Sequence, residues 1–205
     1  MESPDTFTLL PIHLDPTTKA LSTSQNIPTL AAELTTLNAL HRTILSSDTT
    51  SSGVPPPPIP VNPKRSAQIT KLRDAGNAAY KKSQFADAIR MYSLGIDMAL
   101  QRPYWEPAGL VREEVSALYA NRAQAHMALQ QWPEGAVDAQ CSVELKRVGN
   151  AKAWWRRGRC LVEMGRVEEA REWVGQGVEF EGAEKELGEL EREVEALVER
   201  RRVKG

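Results

Sequence analysis

The sequence predicts an all-α protein, a solenoid of helical hairpins preceded by a small module of different composition. From residue 66 onward, apolar residues recur at the spacing of helices. The same region repeats itself with a period of about 34 residues, which indicates stacked hairpins. Residues 1–62, in contrast, are rich in Thr, Ser and Pro and poor in charge. We therefore expect three repeats, the smallest number that makes a stable stack, and a separate N-terminal module.

The overall composition argues against several classes of protein. The chain has 205 residues, of which 41% are hydrophobic, so it can bury a core without metal or disulfide bonds. Its formal charge of −1 gives no broad positive field for nucleic acid. Cys141 and Cys160 fall within helical patterns, which favours a reducing, cytosolic setting. With neither a signal-peptide pattern nor a long apolar run, we expect membrane association only through a partner.

The N-terminal module, residues 1–52, contains two short structural signals. Residues 6–14 mix β-forming and apolar residues before the Asp15-Pro16 turn, which predicts one strand or an extended arm. A lone strand and a lone helix bury little surface against each other, so we expect this module to dock onto the second half or onto another protein. The helix is predicted after Pro28 from apolar spacing at Leu30, Leu34, Leu37, His41, Ile44 and Leu45.

A proline-rich linker, residues 53–65, is predicted to separate this module from the repeats. It contains four consecutive prolines at 55–58, a composition typical of a semi-rigid polyproline spacer. The repeats follow at 66–182. Residues 183–205 then predict a charged C-terminal helix that caps the solenoid with one apolar stripe, made of Leu187, Leu190, Val194, Leu197 and Val198.

The three repeats share small and aromatic residues at equivalent positions. Small residues let the two helices of a hairpin approach closely, while the aromatic residues fill the space beside them. Residues 101–112, with two prolines, are expected to form a surface loop between the first and second hairpins. The equivalent positions are Gly76, Phe85, Ala88 and Tyr92 in the first copy, Tyr119, Ala123, Trp132 and Ala139 in the weaker second copy, which has Gly135 where Ala is usual, and Gly158, Val167, Ala170 and Gly177 in the third.

Five polar residues carry the functional prediction. Arg73 and Asn77 stand four apart in "LRDAGN", Asn121 lies in "YANR", and Lys152 and Arg156 stand four apart in "NAKAWWRRG". This set resembles the carboxylate clamp of tetratricopeptide (TPR) proteins that bind chaperone tails ending in Glu-Glu-Val-Asp. The resemblance covers roughly the last two-thirds of the chain, and it implies that these five residues bind peptide without metal or cofactor. The family commonly has Lys where Arg73 stands, which keeps the charge but changes the bond geometry.

Helix geometry supports the same assignment independently. Residues four apart lie on one face of a helix, and the first helices of successive hairpins line one concave surface, so the five side chains can converge. The basic side chains would form charge-assisted hydrogen bonds with carboxylates, and each Asn would supply a neutral donor. The alternative is that each basic residue is a solvated surface charge and that the groove binds another peptide or none.

The whole architecture resembles the cytosolic TPR subunits of the fungal post-translational SEC translocation complex. That resemblance implies a peripheral location on the cytosolic face of the endoplasmic reticulum. There, the N-terminal module would dock onto a membrane-anchored translocon subunit, and the repeats would capture the tail of a seventy-kilodalton heat-shock chaperone carrying a preprotein. Two alternatives stay open: another TPR co-chaperone adaptor with the same clamp, and a scaffold whose groove holds a helical or apolar peptide.

The remaining candidate residues give weaker signals. Trp154 is predicted to lie in the core, whereas Trp155, next to Arg156, either contacts a ligand or packs between hairpins. Gln124 and Arg159 either line the groove or are solvated side chains, and the solvated position is favoured. The histidines lie in unrelated segments without the spacing of a metal site, and no nucleophile is paired with a base, so the sequence predicts no enzyme.

Overall fold

Eight helices and two short strands form the described part of the chain, residues 10–47, 61, 63–103, 106–182 and 184–204 of the computed structural model. The chain divides into two compact units, Met1–Ile59 and Pro60–Gly205. The predicted all-α class, with a small strand-and-helix module before the repeats, is confirmed.

The N-terminal unit contains a β-hairpin where the sequence predicted one strand. Strand β1 (Ile12–Leu14) pairs antiparallel with β2 (Leu21–Thr23). The carboxylate of Asp15 accepts hydrogen bonds from the backbone N–H groups of Thr17 (2.7 Å) and Thr18 (2.9 Å), which fixes the turn between the strands. The predicted strand is present as β1, whereas β2 was not predicted because it is only three residues long and carries no distinctive pattern.

Helix α1 (Pro28–Ser47) packs against this hairpin through a side-chain amide. The Nδ2 of Asn38 donates to the carbonyl of Leu21 (2.8 Å), and its Oδ1 accepts from the N–H of the same residue (2.7 Å). Leu34 is buried, but Leu37 is 45% exposed, so the predicted apolar stripe is only partly covered. The side chains of Ile44 and Leu45, residues 6–9 and the proline run at 55–58 lie outside the described residues.

Three hairpins and a capping helix make up the second unit. Helices α2, α4 and α6 contact one another in series and α6 contacts α8, whereas in the described part of the chain α3 does not contact α5, nor α5 α7. The first helices of the hairpins therefore form one continuous inner layer. The bounds are α2 (Pro63–Lys81), α3 (Phe85–Leu100), α4 (Ala108–Ala128), α5 (Trp132–Leu145), α6 (Ala151–Glu163), α7 (Val167–Glu181) and α8 (Lys185–Lys204).

Small residues permit the close helix contacts, as the repeat pattern predicts. A Cβ atom at Gly76 would overlap the ring of Tyr92, and one at Gly158 would lie 2.9 Å from Cδ2 of Leu190. The unusual Gly135 of the middle repeat is closely packed, because a Cβ there would lie 3.1 Å from Sγ of Cys160. An alanine at this position would require the thiol to shift by a few tenths of an ångström.

Helix α8 completes the core of the third hairpin. Its residues Leu187, Leu190, Val194 and Val198 are buried against a cluster that contains Trp154. This confirms the predicted apolar stripe and the core position of Trp154. The indole N–H of Trp154 donates to the carbonyl of Arg147 (3.0 Å), so this large side chain is buried without an unpaired donor.

The join between α3 and α4 differs from the predicted surface loop. Helix α4 begins at Ala108, within the range expected to be a loop, and Arg102 is only 5% exposed. Its guanidinium donates to both carboxylate oxygens of Glu114 (2.9 and 2.7 Å), to Glu106 and to the hydroxyl of Ser66 (2.7 Å). An arginine among prolines resembles a solvated loop residue in sequence, so its burial depends on carboxylates that only the tertiary structure brings near.

The turns within the hairpins share a left-handed residue two positions before each second helix. These residues are Ser83 (φ 59°), Gln130 (φ 59°) and Gly165 (φ 73°). A non-glycine residue in this region carries a steric cost of about 1–2 kcal/mol.

We expect Ser83→Gly to stabilise the protein by about 0.5–1 kcal/mol, because glycine relieves the cost at φ 59° but adds some unfolded-state entropy. Chemical denaturation would measure the change. Lys82→Gly is the matched control: Lys82 is equally exposed in the same turn but lacks a positive φ, so glycine there should destabilise or have no effect. Equal shifts for the two variants would contradict this explanation.

Candidate functional site

Two asparagines from neighbouring first helices meet on the inner layer. The Nδ2 of Asn121, on α4, donates to Oδ1 of Asn77, on α2, at 3.1 Å. The same Oδ1 accepts from the hydroxyl of Tyr92 at 2.8 Å. Burial raises the pKa of Tyr92, so its hydroxyl keeps the proton that it donates. Both hydrogen bonds go to the side-chain oxygen of Asn77. The NH₂ group of the same amide therefore points away from Tyr92 and Asn121 and can donate to another acceptor.

A buried guanidinium from α6 lies beside this pair. Arg156 is 8% exposed, and it donates to the carbonyl of Ala120 (2.9 Å) and to Oε1 of Gln124 (2.8 Å), both on α4. Both acceptors are neutral, and among the described residues no carboxylate lies within 4 Å. Burial lowers the pKa of Arg156, which reflects the cost of a desolvated positive charge that forms no ion pair among the described residues.

Lys152 lies one turn before Arg156 and is exposed. The beginning of its helix is held by Glu181, whose carboxylate accepts from the N–H groups of Gly149 (3.2 Å) and Asn150 (2.6 Å). The side chain of Asn150 in turn donates to the carbonyl of Lys146 (2.9 Å), which fixes the path between α5 and α6. The position of Lys152 therefore depends on contacts from α5 and α7.

The inner layer contains an open groove of about 580 Å³ that is lined in part by Lys152 and Arg156. Its wall combines aromatic and apolar side chains with three basic residues and one acidic residue. Trp155 is half-buried in it, and the ring lies 5.8 Å from the guanidinium of Arg159. The lining residues are Tyr80, Gln124, Met127, Ala128, Trp132, Lys152, Trp155, Arg156, Arg159 and Glu186.

The structure joins two pairs of the five predicted residues, and among the described residues neither asparagine of the first pair belongs to the lining of the groove that holds the second pair. Asn77 and Asn121 are bonded to each other, Arg156 is bonded to the residue that precedes Asn121, and Lys152 lines the same groove as Arg156. Arg73 lies on α2, partly exposed, and its Nε is 3.8 Å from Asp74. It contacts none of the other four in the described part of the chain.

Two residues of the site, Tyr92 and Glu186, were not identified from the sequence. Tyr92 was expected only to fill space, yet it orients Asn77. Gln124 and Arg159, for which a solvated position was favoured over a place in the groove, both line the groove. The role of Tyr92 could have been predicted, because its ring packs on Gly76 and the residue after Gly76 is Asn77. Nothing in the sequence indicates that Glu186 reaches the groove.

The described residues show neither a membrane span nor a metal site. No described helix has both the length and the apolar character needed to cross a bilayer. Within the same residues, no group of three or more His, Cys, Asp or Glu side chains could hold a metal ion.

Comparisons with known proteins agree with this architecture. No family model matches the chain. The ER protein translocation subcomplex subunit sec67 of Schizosaccharomyces pombe is 36% identical over 110 residues, which are 53% of this chain and 57% of sec67. The chain thus spans little more than half the length of that relative.

Two solved structures extend the comparison to the fold. A chain of the Sec complex from S. cerevisiae matches with a TM-score of 0.66 and 18% identity, covering 93% of this chain and 98% of that chain. The second TPR domain of human RPAP3, in complex with the HSP70 peptide SGPTIEEVD, matches with a TM-score of 0.53 and 24% identity, covering 64% and 98%. The chain therefore has the fold of tetratricopeptide-repeat domains and is similar to sec67 over about half of its length, in agreement with the resemblance to TPR subunits of the SEC translocation complex.

Proposed function

We propose that this chain is a non-enzymatic adaptor of the ER protein-translocation machinery that binds the acidic C-terminal tail of a cytosolic seventy-kilodalton heat-shock chaperone. In this role it recruits preproteins that the chaperone carries, and its five predicted clamp residues, with Arg73 at the edge, hold the tail. The observation that carries the proposal is the guanidinium of Arg156, which is buried on the inner layer with only neutral acceptors.

An acidic peptide supplies what this site lacks. A buried cation without a counter-ion is costly, so an incoming carboxylate gains a charge-assisted interaction and relieves part of that cost. The NH₂ group of Asn77, already oriented by Tyr92, donates to the same ligand without further ordering. Exposed Lys152 adds a second positive charge to the groove. We expect binding of the order of micromolar Kd, weakened by salt.

The similarities to the human RPAP3 domain and to sec67 both support the proposed adaptor function. The human RPAP3 domain that shares the fold binds an HSP70 peptide ending in EEVD, and sec67 is a subunit of an ER translocation subcomplex. We assign both properties to this chain. It would then be an adaptor bound peripherally to the cytosolic face of the endoplasmic reticulum membrane. The alternative function left open by the sequence is that of another TPR co-chaperone adaptor. Such an adaptor would use the same clamp but would not bind a translocon subunit.

The N-terminal unit is proposed to supply the attachment to a membrane-anchored translocon subunit. Its hairpin, its helix and the residue before the helix expose large apolar side chains, namely Ile12 (46%), Leu14 (58%), Ile27 (36%) and Leu37 (45%). So many exposed apolar side chains on a small unit favour a protein partner.

A second candidate function is a scaffold that binds an apolar or helical peptide. The observation that favours it is the apolar wall formed by Met127, Trp132 and Trp155 in the groove. In that case the basic residues would be solvated and their removal would leave binding almost unchanged, so the experiment below separates the two functions.

We expect Asn77→Ala, Asn121→Ala and Arg156→Ala each to weaken binding of SGPTIEEVD by about 1–3 kcal/mol, because each removes a donor to a carboxylate. Isothermal titration of the full chain would measure this loss. The C-terminally amidated peptide should bind weakly to the unsubstituted chain. Arg90→Ala is the control, since it removes an exposed positive charge from α3, outside the inner layer. Unchanged Kd values in the three clamp variants would exclude the clamp and favour the scaffold.

Tyr92→Phe is expected to weaken tail binding by about 1 kcal/mol while the hairpin stays folded. The ring still packs on Gly76, but the hydroxyl that orients Asn77 is lost. Titration with the same peptide measures the effect, and circular dichroism verifies the fold. Tyr119→Phe is the matched control, because the described residues contain no hydrogen-bond partner for its hydroxyl. Equal affinities for both variants would mean that Asn77 needs no orientation by Tyr92.

Deletion of residues 1–62 is expected to abolish association with ER membranes that carry the translocation complex and to leave tail affinity unchanged. The repeats form their own compact unit, so the truncated chain should fold. Co-sedimentation with the membranes and peptide titration measure the two properties separately. Loss of both in a folded truncated chain would contradict this division of roles.

A further inference from the structure

The capping helix contributes one carboxylate to the groove. Glu186 lies in the first turn of α8 and lines the groove together with Lys152 and Arg156. The next residue, Leu187, is completely buried, and a Cβ at Gly177 would lie 3.2 Å from its Cδ2. This packing fixes the backbone beside Glu186, so the acidic side chain is held at the groove by the core of the third hairpin.

Glu186 is the acidic group of the lining, and its charge is not neutralised locally. Among the described residues it has no ion-pair partner within 4 Å, although its charge acts on the guanidinium of Arg156. The nearby Arg159 is already paired with Glu193 through two hydrogen bonds of 2.8 and 2.7 Å. The groove therefore combines the two unpaired cations, Lys152 and Arg156, with one unpaired anion.

The order of the helices places this anion beyond the proposed clamp. The asparagines lie on α2 and α4, the two cations on α6, and Glu186 on α8, in the order in which these helices contact each other. A peptide whose terminal carboxylate is bound by Asn77 and Asn121 extends its preceding residues over α6 towards α8. Glu186 then faces the residues before the acidic end of the tail, with Trp155 and Trp132 beside them.

We infer that Glu186 is a specificity-determining residue, which favours acidic tails preceded by a cationic residue and disfavours those preceded by an acidic one. This inference rests on the proposed function and names the class of tail that the groove prefers. A carboxylate attracts a lysine or arginine of the ligand, and the faces of neighbouring tryptophans add a cation–π contribution. An additional Glu of the ligand would be repelled.

The test uses matched peptides that differ in one charge. SGPRIEEVD is compared with SGPEIEEVD, and SGPTREEVD with SGPTEEEVD, because neighbouring side chains of an extended peptide point to opposite sides. Each pair is titrated into the full chain and into Glu186→Gln. We expect the affinity ratio of the Arg to the Glu peptide to fall roughly two- to fivefold in Glu186→Gln for at least one pair, the range of an exposed charge pair.

Glu189→Gln is the matched control, because it removes the same charge from an exposed position of the same helix that does not line the groove. Its ratios should equal those of the unsubstituted chain. If Glu186→Gln leaves the ratio unchanged for both pairs while SGPTIEEVD still binds, the role of Glu186 is overturned and the clamp stands. If no peptide binds to any variant, the proposed function itself fails.

Discussion

The hairpins can form only because their paired helices approach closely at small residues. In the first hairpin, the ring of Tyr92 occupies the space above Gly76, and its hydroxyl reaches the neighbouring Asn77. A larger residue at that crossing would displace the ring and the donor with it. Packing and the proposed ligand recognition therefore share the same atoms, because the residue that closes the hairpin on one side orients a polar group on the other.

Three arginines show how the tertiary structure pairs some charges with carboxylates and leaves another with neutral acceptors. Arg102 is buried among two carboxylates and a serine hydroxyl, which satisfy its charge and hold the join between two hairpins. Arg122 has a bidentate bond with Asp138. Arg156 is buried to a similar degree as Arg102, but only a backbone carbonyl and an amide oxygen accept its hydrogen bonds. A guanidinium held in this way is suited to a transient anionic ligand.

The two units solve the problem of burial in different ways. The repeats bury a continuous core, since each hairpin covers its neighbour and α8 covers the last one. The N-terminal unit has only a two-stranded sheet and one helix, joined by the amide of Asn38, and several of its large apolar residues remain exposed. A two-stranded sheet is too small to cover all of the apolar surface of a 20-residue helix. The proposed division into a permanent attachment and an open groove follows from this difference.

Periodicity within single segments was enough to predict the helical class, the three hairpins, the small residues at their crossings and the apolar stripe of α8. The sequence also identified the five candidate clamp residues, whose role stays a prediction. The burial of Arg102, the orientation of Asn77 by Tyr92 and the place of Glu186 in the groove could not be predicted in this way. Each of these depends on residues from different helices, and local spacing carries no information on which charged side chains become neighbours after the hairpins stack.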